Sequence, residues 1–452
     1  MGAGIGGLAA SLALSRNGWE VELVERDDTP MPEDVEGAFA WDRRGAPQVR
    51  HTHGFPALIR VLLRDRYPDV LQALLDAGVG ELSILPPNVP PDLPDYERHA
   101  ADLHVLSCRR TTLEWVLRRC ALAEPAVSLR VGVGVEGLLA DAGSGPLEVR
   151  GVRLDDGTEI AADVVVASAG RRCAVPAWFA AQGVVVPEEE HPTGTVYLSR
   201  FYRTADGANV PMGYLGGRRA GLGFVLAGAD NGTYSATLAV PVDDGELRAH
   251  LHDPDRFEAV LPLFREMGAL ALWGGSPITP VQVMGGLINR LRRYVADDGT
   301  PLAHGFFAVG DSHTCTNPLY GRGSSLAVLQ AVLVADALAE HPDDRDAASR
   351  AYETASATKV EPWYHVSVAS DGGVSAGPPV DLRVLRRVAA TGDPQLALLV
   401  VRMMSLLVSP AEVFDDPTVL ERIAAAATEP PRDPDAPRRP SLTREDLLAA
   451  GR

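Results

Sequence analysis

Residues 1–25 read Met-Gly-Ala-Gly-Ile-Gly-Gly-Leu-Ala-Ala-Ser-Leu-Ala-Leu-Ser-Arg-Asn-Gly-Trp-Glu-Val-Glu-Leu-Val-Glu, and this opening decides the fold. Gly2, Gly4 and Gly7 form a GxGxxG turn, the Ala- and Leu-rich run 5–16 predicts a helix, and 19–25 predicts a strand. Each glycine has a task in such a turn: a tight bend, close approach of backbone to a pyrophosphate, and close packing of helix on strand. The anion then sits at the helix N-terminus, where unpaired N–H groups and the helix dipole favour negative charge. Glu25 ends the strand 18 residues after Gly7, near the spacing of about 20 expected of a carboxylate that accepts ribose hydroxyls. The pattern predicts an α/β chain with a Rossmann-like dinucleotide-binding unit. A buried parallel strand ought to deliver the chain to Gly2, and its absence leads to the expectation that the native chain begins upstream of Met1.

A second stretch, residues 305–327, reads Gly-Phe-Phe-Ala-Val-Gly-Asp-Ser-His-Thr-Cys-Thr-Asn-Pro-Leu-Tyr-Gly-Arg-Gly-Ser-Ser-Leu-Ala. Phe306 to Val309 predict a buried strand, Gly310 lets backbone come close to a ligand, and Asp311 presents a carboxylate to a polyol. Pro318, Gly321 and Gly323 break the chain before a helix starting at about Ser324, whose N-terminus suits an anionic ring such as a reduced flavin. The first turn alone does not separate NAD from FAD; this segment favours FAD.

Between these stretches, residues 27–48 read as a Pro-, Gly- and charge-rich loop, with helical patterns around 55–77 and 111–122. Short strands follow between 129 and 170 with an Asp155-Asp156-Gly157 turn, then long antiparallel strands at 195–202 and 222–242 that form a substrate-binding layer. After about 345 the pattern is helical, ending in a Pro-rich, charged tail at 429–440 expected to be mobile. The organisation expected is therefore FAD-binding segments at 1–50, 101–172 and 286–345. A helical insertion at 51–100, an inserted antiparallel-sheet substrate domain at 173–285 and a helical C-terminal region at 346–452 complete it.

Composition narrows the class of activity. The net charge of −18 over 452 residues argues against a nucleic-acid partner, since phosphate affinity rests on Lys and Arg. Cys108, Cys120, Cys173 and Cys315 show neither zinc spacing nor a disulfide framework, which fits reduced thiols in the cytoplasm. No signal-peptide pattern and no uninterrupted apolar run near 18 residues occurs, and 396–408, broken by Arg402 and Ser405, reads as a buried or amphipathic helix. His51 and His53 alternate as on an extended segment, so both face one side with Arg50 opposite; a polar active-site cluster and an ordinary solvated loop are both open, and a metal site lacks a third ligand. Glu188, Glu189 and Glu190 read as a solvated face. Neither a nucleophile elbow nor a GxxxxGK[ST] loop is present, which removes hydrolase and kinase readings.

These residues resemble the FAD-dependent monooxygenases of the aromatic-hydroxylase type, especially the bacterial branch with polyether epoxidases and squalene-epoxidase-like enzymes, over most of the chain. The likeness lies in Gly310-Asp311, in Asn317, Pro318, Tyr320, Gly321, Arg322 and Gly323, and in Gln48, Arg50, His51 and His53. It extends to Arg110 in its Arg-x-x-Leu-Glu helix start, Val135, Ala177-Trp178-Phe179 after Gly170-Arg171-Arg172, and Glu361-Pro362-Trp363. The resemblance implies that Gly310 and Asp311 contact the flavin ribityl chain, that Arg110 and Val135 contact FAD, and that the 317–323 loop precedes the last flavin helix. It also implies insertion of one oxygen from O₂, as hydroxylation or epoxidation, into an apolar or aromatic small molecule of specialised metabolism.

One departure bears on the electron donor. Ala167-Ser168-Ala169-Gly170-Arg171 stands where the family usually has Asp-Ala-Ser-Gly-Arg, so NAD(P)H acting directly and a separate flavin reductase are both open. Alternatives of other kinds are a flavin-dependent reductase of the geranylgeranyl-reductase type and a degenerate flavoprotein without catalysis. A halogenase is disfavoured because no Trp-x-Trp-x-Ile-Pro segment is present.

Overall fold

In the computed structural model of the chain, residues 1–3 lie between two pairs of parallel strands and hydrogen-bond to both. The Gly2 N–H donates to Val24 O (2.8 Å), the Met1 amino group to Val166 O (2.7 Å), and the Ser168 N–H to Met1 O (2.9 Å). One pair is Val21–Glu25 with Val127–Val131, the other Val165–Ala167 with Phe306–Ala308. The place the sequence reading leaves for a strand ahead of the glycine turn is thus held by these three residues. All residues are described except 142, 144, 212, 213, 265–273, 373–387, 389–392, 429–441 and 452; the expected mobile tail at 429–440 lies outside the described residues.

The pair Val165–Ala167 and Phe306–Ala308 is short and apolar because both its faces are covered, whereas Val127–Val131 leaves Ser128, Arg130 and Val131 exposed. On one side the helix Ile5–Ser15 packs on Gly323–Glu340 and Arg110–Ala123 within the largest core, where Leu8, Leu12, Val334 and Phe307 are closed to water. Gly323–Glu340 is long and apolar enough to cross a membrane, which a search for an unbroken apolar run does not reveal. Yet 72% of it is buried inside the protein, where it packs on the opening helix. On the other side lies an antiparallel meander, Val135–Asp141, Leu147–Leu154 and Glu159–Ala161, with its own core around Val149, Leu154 and Phe179.

The six-stranded sheet has the order Tyr214–Arg219, Leu222–Gly228, Thr233–Pro241, Thr195–Arg203, Ser276–Pro277, with Gln282–Met284 also paired to Thr195–Arg203. The predicted strand 222–242 is split by a turn in which Asn231 and Gly232 have φ of 54° and 64°. Alternation gives the sheet two unlike faces. Leu198, Tyr202, Phe224, Tyr234 and Leu238 face helices Gly245–His252 and Pro254–Val260, and Leu447 and Leu448 of the last helix, Arg444–Ala449, close that core. The register Ser199↔Thr237 and Phe201↔Ser235 sets Ser199, Phe201, Ser235 and Thr237 together on the opposite face, against His51, Thr52 and Phe39.

A buried ion pair ties this sheet to the parallel core. Asp230, fully buried in the turn, accepts from the Arg109 N–H (2.6 Å), Arg109 Nη2 (2.6 Å) and Thr112 Oγ1 (2.7 Å) at the start of the helix Arg110–Ala123. Elsewhere two expectations change. The 27–48 loop contains a helix, Val35–Phe39, capped by Asp34, and a 3₁₀ turn, Pro47–Arg50. The acidic run at 188–190 is part of the strand Glu188–Pro192, set opposite Ile288–Arg292. There Glu188 meets Arg292, Glu189 meets Arg293 and Glu190 meets Arg290, so it is one half of a cross-strand charge pairing rather than a plain solvated face.

Candidate active site

The helix Ile5–Ser15 starts at the glycine turn and packs on Gly323–Glu340, which starts beside Asp311, and a Cβ on Gly6 would touch Val309 and Ala327; in open α/β sheets the C-terminal ends of the strands collect ligands. The three glycines of the turn meet unlike surroundings. Gly2 has φ 89°, and a Cβ there would meet Ser168 O at 2.5 Å, while a Cβ on Gly7 would collide with Gly2 O and Ser168 Oγ. A Cβ on Gly4 meets nothing within 4 Å, and the helix begins after Gly4 without a side-chain cap. Its first N–H groups are therefore free for an anion.

Glu25 is held in place by its neighbours. Its Oε2 accepts from the Ala3 N–H (2.8 Å) and Arg43 Nη2 (3.3 Å), and its Oε1 from the Asp27 N–H (2.9 Å). Arg43 also reaches Glu114 (2.6 Å), Asp27 (3.4 Å) and Ala3 O (3.2 Å). Sequence reasoning missed Arg43, which sits in the stretch read as a loop; only the Arg-x-x-Leu-Glu motif, by way of Glu114, points toward it. Around this centre, Arg110 Nε, Arg118 Nε and Nη1, and Trp41 Nε1 are buried donors with no acceptor among the described residues. Burial lowers the Arg118 pKa from its ordinary value. Val135, half-buried, starts the meander strand and packs on the core that contains Val24 and Val133.

Against the helix Gly323–Glu340, Gly310 (φ 59°) opens a one-turn 3₁₀ segment, Gly310–Ser312, its N–H donating to Gln330 Oε1 (2.8 Å). The turn presents the Asp311 carboxylate, whose pKa burial raises while Arg110 and Arg171 oppose that rise. A Cβ on Gly323, the first residue of the long helix, would lie 4.0 Å from Asp311 Oδ1, so carboxylate and helix N-terminus share one wall. Pro318 starts the 3₁₀ turn Pro318–Tyr320, and Gly321 (φ 67°) crosses the backbone of Gly54 so closely that a Cβ would sit 3.1 Å from its Cα. Arg322 turns away, donating to Ser367 Oγ (2.8 Å) and stacking between Tyr320 and Trp363.

That loop is clamped from the C-terminal region. Asp371 accepts from Asn289 Nδ2 (2.8 Å), Asn317 Nδ2 (2.9 Å) and Tyr320 OH (2.8 Å), the Asn317 N–H donates to Asn289 Oδ1 (2.7 Å), and Tyr197 OH donates to Asn317 Oδ1. Burial raises the Asp371 pKa, against the hydrogen bonds from Asn289 and Tyr320.

The histidines do not share one environment. His51 is buried, with Nδ1 2.8 Å from Ser199 Oγ; Ser199 Oγ lies 2.6 Å from Thr237 Oγ1, and Thr52 Oγ1 bridges Thr237 and Ser235. His53 is half-buried, its Nδ1 turned to His51 O (2.9 Å) and its ring stacked on Phe55. Burial, with Arg50 adding, lowers His51 to about 4; burial, with Arg110 adding, lowers His53 to about 3. Both are neutral at physiological pH. Arg50, expected opposite them in the same cluster, is instead exposed and paired with Asp42, because the 3₁₀ turn ending at Arg50 swings it outward. Ala167 is fully buried in an apolar core, at the end of the strand Val165–Ala167.

Among solved structures, the chain shares the fold of FAD-dependent monooxygenases and flavin-dependent halogenases, a mixed α/β architecture. PqsL, a probable FAD-dependent monooxygenase from Pseudomonas aeruginosa, matches with a TM-score of 0.58 at 19% identity, over 82% of this chain and 94% of that one. The flavin-dependent brominase Bmp2 matches with a TM-score of 0.64 at 16% identity, over 94% and 96% of the two chains. Aklavinone-11 hydroxylase, solved with FAD and aklavinone, matches with a TM-score of 0.55 at 17% identity, over 81% and 67%. By sequence, the chain is 28% identical over 368 residues to Protein Rv3254 of Mycobacterium tuberculosis, covering 73% of this chain and 70% of that protein. No family model matches the chain.

Proposed function

We propose that the chain is an FAD-dependent monooxygenase, its opening segment a Rossmann-like unit, acting on an apolar or aromatic small molecule of specialised metabolism by hydroxylation or epoxidation. The observation that carries this reading is the set of groups that these elements bring together. An uncapped helix start at Gly4, the buried unpaired donors of Arg110 and Arg118 beside Glu25, and the Asp311 carboxylate together match a pyrophosphate, a ribose and a polyol chain. In this reading Gly2, Gly4 and Gly7 admit the pyrophosphate, Glu25 takes the ribose hydroxyls, Arg110 and Val135 line the adenosine side, and Gly310 and Asp311 take the ribityl chain. Pro318, Gly321, Arg322 and Gly323 shape the loop over the ring.

When bound, FAD supplies the redox centre at which O₂ is activated, with electrons from NAD(P)H directly or through a separate flavin reductase. The chain's own residues position and shield. The Ser199, Ser235 and Thr237 face of the sheet provides hydroxyls beside otherwise apolar strands, a pattern that orients a substrate bearing one polar group. His51 and His53, neutral because they are desolvated, act as hydrogen-bond partners and not as cationic acids. His51 holds or receives the proton of the Ser199 hydroxyl, linking the interior of the sheet to the loop at 51–55. The cysteines Cys108, Cys120, Cys173 and Cys315 are free thiols, in keeping with a cytoplasmic enzyme.

The test is a single turnover of the reduced holoprotein with isotopically labelled dioxygen and a panel of aromatic and alkene substrates. Label in the product is expected. Reoxidation with no labelled product from any substrate, or saturation of an alkene without oxygen, would favour the reductase reading and contradict this one.

A further inference from the structure

We propose that Gln330 is the positioning residue of the Asp311 turn: from inside the helix Gly323–Glu340 it fixes the backbone that aims the Asp311 carboxylate. The parallel pairing of Val165–Ala167 with Phe306–Ala308 runs out at Val309, whose N–H donates to Ala167 O (2.9 Å). Gly310, the next residue, has left the ladder with φ 59° and is buried, so its N–H meets neither a strand partner nor water. Gln330 Oε1 supplies the acceptor at 2.8 Å. Two residues earlier, Tyr352 of the helix Arg345–Lys359 donates its hydroxyl to Ala308 O. Side chains from two helices thus hold the chain on either side of Val309.

Gln330 is out of place in its helix on any other account. From Leu326 to Ala335 every other side chain is apolar, and Gln330 is fully buried among them. Burying an amide is unfavourable unless it is hydrogen-bonded, and the bond this one makes is to the Gly310 N–H. A leucine or valine at 330 would suit the helix and strand that N–H.

Spacing along the helix gives Gln330 its leverage. Gly323, Ala327 and Gln330 share one face, four and then three residues apart. A Cβ on Gly323 would lie 4.0 Å from Asp311 Oδ1, a Cβ on Gly310 would lie 3.4 Å from Ala327 Cβ, and Gln330 bonds the Gly310 N–H. One helix face therefore grips the turn at three heights and keeps the carboxylate in register with the helix N-terminus. Asp311 follows Gly310 directly, so the φ and ψ of Gly310 set where the carboxylate points, and glycine alone leaves both angles wide freedom. Control of the turn stands on these contacts; its consequence for a cofactor rests on the flavin reading above.

The test is a double-mutant cycle on FAD affinity, read by fluorescence titration of the full chain: wild type, Gln330→Met, Gln330→Glu, Asp311→Ala and Gln330→Met/Asp311→Ala. Methionine keeps the length and lacks the carbonyl acceptor; a buried glutamate, held protonated by desolvation, keeps both. Affinity is expected to fall about tenfold in Gln330→Met and to stay near wild type in Gln330→Glu, and Gln330→Met is expected to add nothing once Asp311 is gone. Wild-type affinity in Gln330→Met, even with a lowered melting point, or losses that add in the double variant, would overturn the proposal. Should Gln330→Met fail to fold, Gln330→Asn, polar but one methylene short of the Gly310 N–H, takes its place in the cycle. Hydrogen exchange over residues 306–313 of the FAD-free chain, followed by mass spectrometry, is expected to show one faster amide in Gln330→Met and none in Gln330→Glu. Unchanged exchange in Gln330→Met overturns the proposal whatever FAD does. A wild type that takes up no FAD contradicts the flavin reading alone, and the exchange still decides whether Gln330 sets the turn.

Discussion

Gly4 and Gly7 stand three residues apart in one turn, yet a methyl group added to each meets opposite surroundings. At Gly7 it strikes Gly2 O and Ser168 Oγ, so Gly7→Ala is expected to destabilise the fold by about 1–3 kcal/mol or more, read from chemical denaturation. At Gly4 it points into open space from an ordinary φ of −82°, so Gly4→Ala is expected to leave stability unchanged and to weaken flavin binding. Equal effects of both on stability would contradict these assignments. His51 supports a second prediction at this scale. Its folded pKa of about 4 lies below the unfolded value of about 6.5, so the unfolded chain binds the extra proton first. The neutral ring's contribution is full above about pH 7 and drains as pH falls through about 6.5 toward about 4, by an amount on the order of 3 kcal/mol. Thermal melts of wild type and His51→Gln across that window are expected to converge on acidification; parallel curves would contradict the burial argument.

The loop at 317–321 shows what an element adds to its residues. Its conformation depends on Asp371, whose carboxylate gathers Asn289, Asn317 and Tyr320 from two other parts of the chain. Asp371→Ala strands these donors, two of them on side chains that are fully buried, at a cost of about 1–3 kcal/mol each where no water replaces the acceptor. A shifted flavin absorbance maximum together with lower stability is expected; lower stability with an unchanged spectrum would show that the clamp does not reach the ring. This clamp also marks the boundary of what the sequence made legible. The glycine turn, Glu25 and Gly310-Asp311 could be read because each is a local pattern in which spacing carries the chemistry. Arg43, Asp230 and Asp371 could not, since their partners lie 71, 121 and 54 residues away and nothing in a single sequence marks such pairs. Arg50 was misplaced for a related reason: alternation was assumed through a segment that coils into a 3₁₀ turn.

At the scale of the molecule, the antiparallel sheet is tied to the rest of the chain by several buried contacts, of which the ion pair of Asp230 with Arg109 joins it to the start of the helix Arg110–Ala123. Removing one partner of such a pair costs about 3–5 kcal/mol because the other charge is left desolvated. Asp230→Ala is accordingly expected to lower the unfolding midpoint sharply, and Asp230→Asn, which keeps the shape and some of the hydrogen bonds, to lower it less; equal and negligible losses would show that the sheet is held by apolar packing alone. The central claim is that the glycine turn and the Asp311 turn together hold a flavin, and the most direct measurement is the visible absorbance of the purified chain with its Asp311→Ala variant. Wild type is expected to hold flavin, and Asp311→Ala to bind it about tenfold more weakly while remaining folded. Colourless wild-type protein that takes up no added FAD, or full flavin occupancy after loss of the Asp311 carboxylate, would contradict the account.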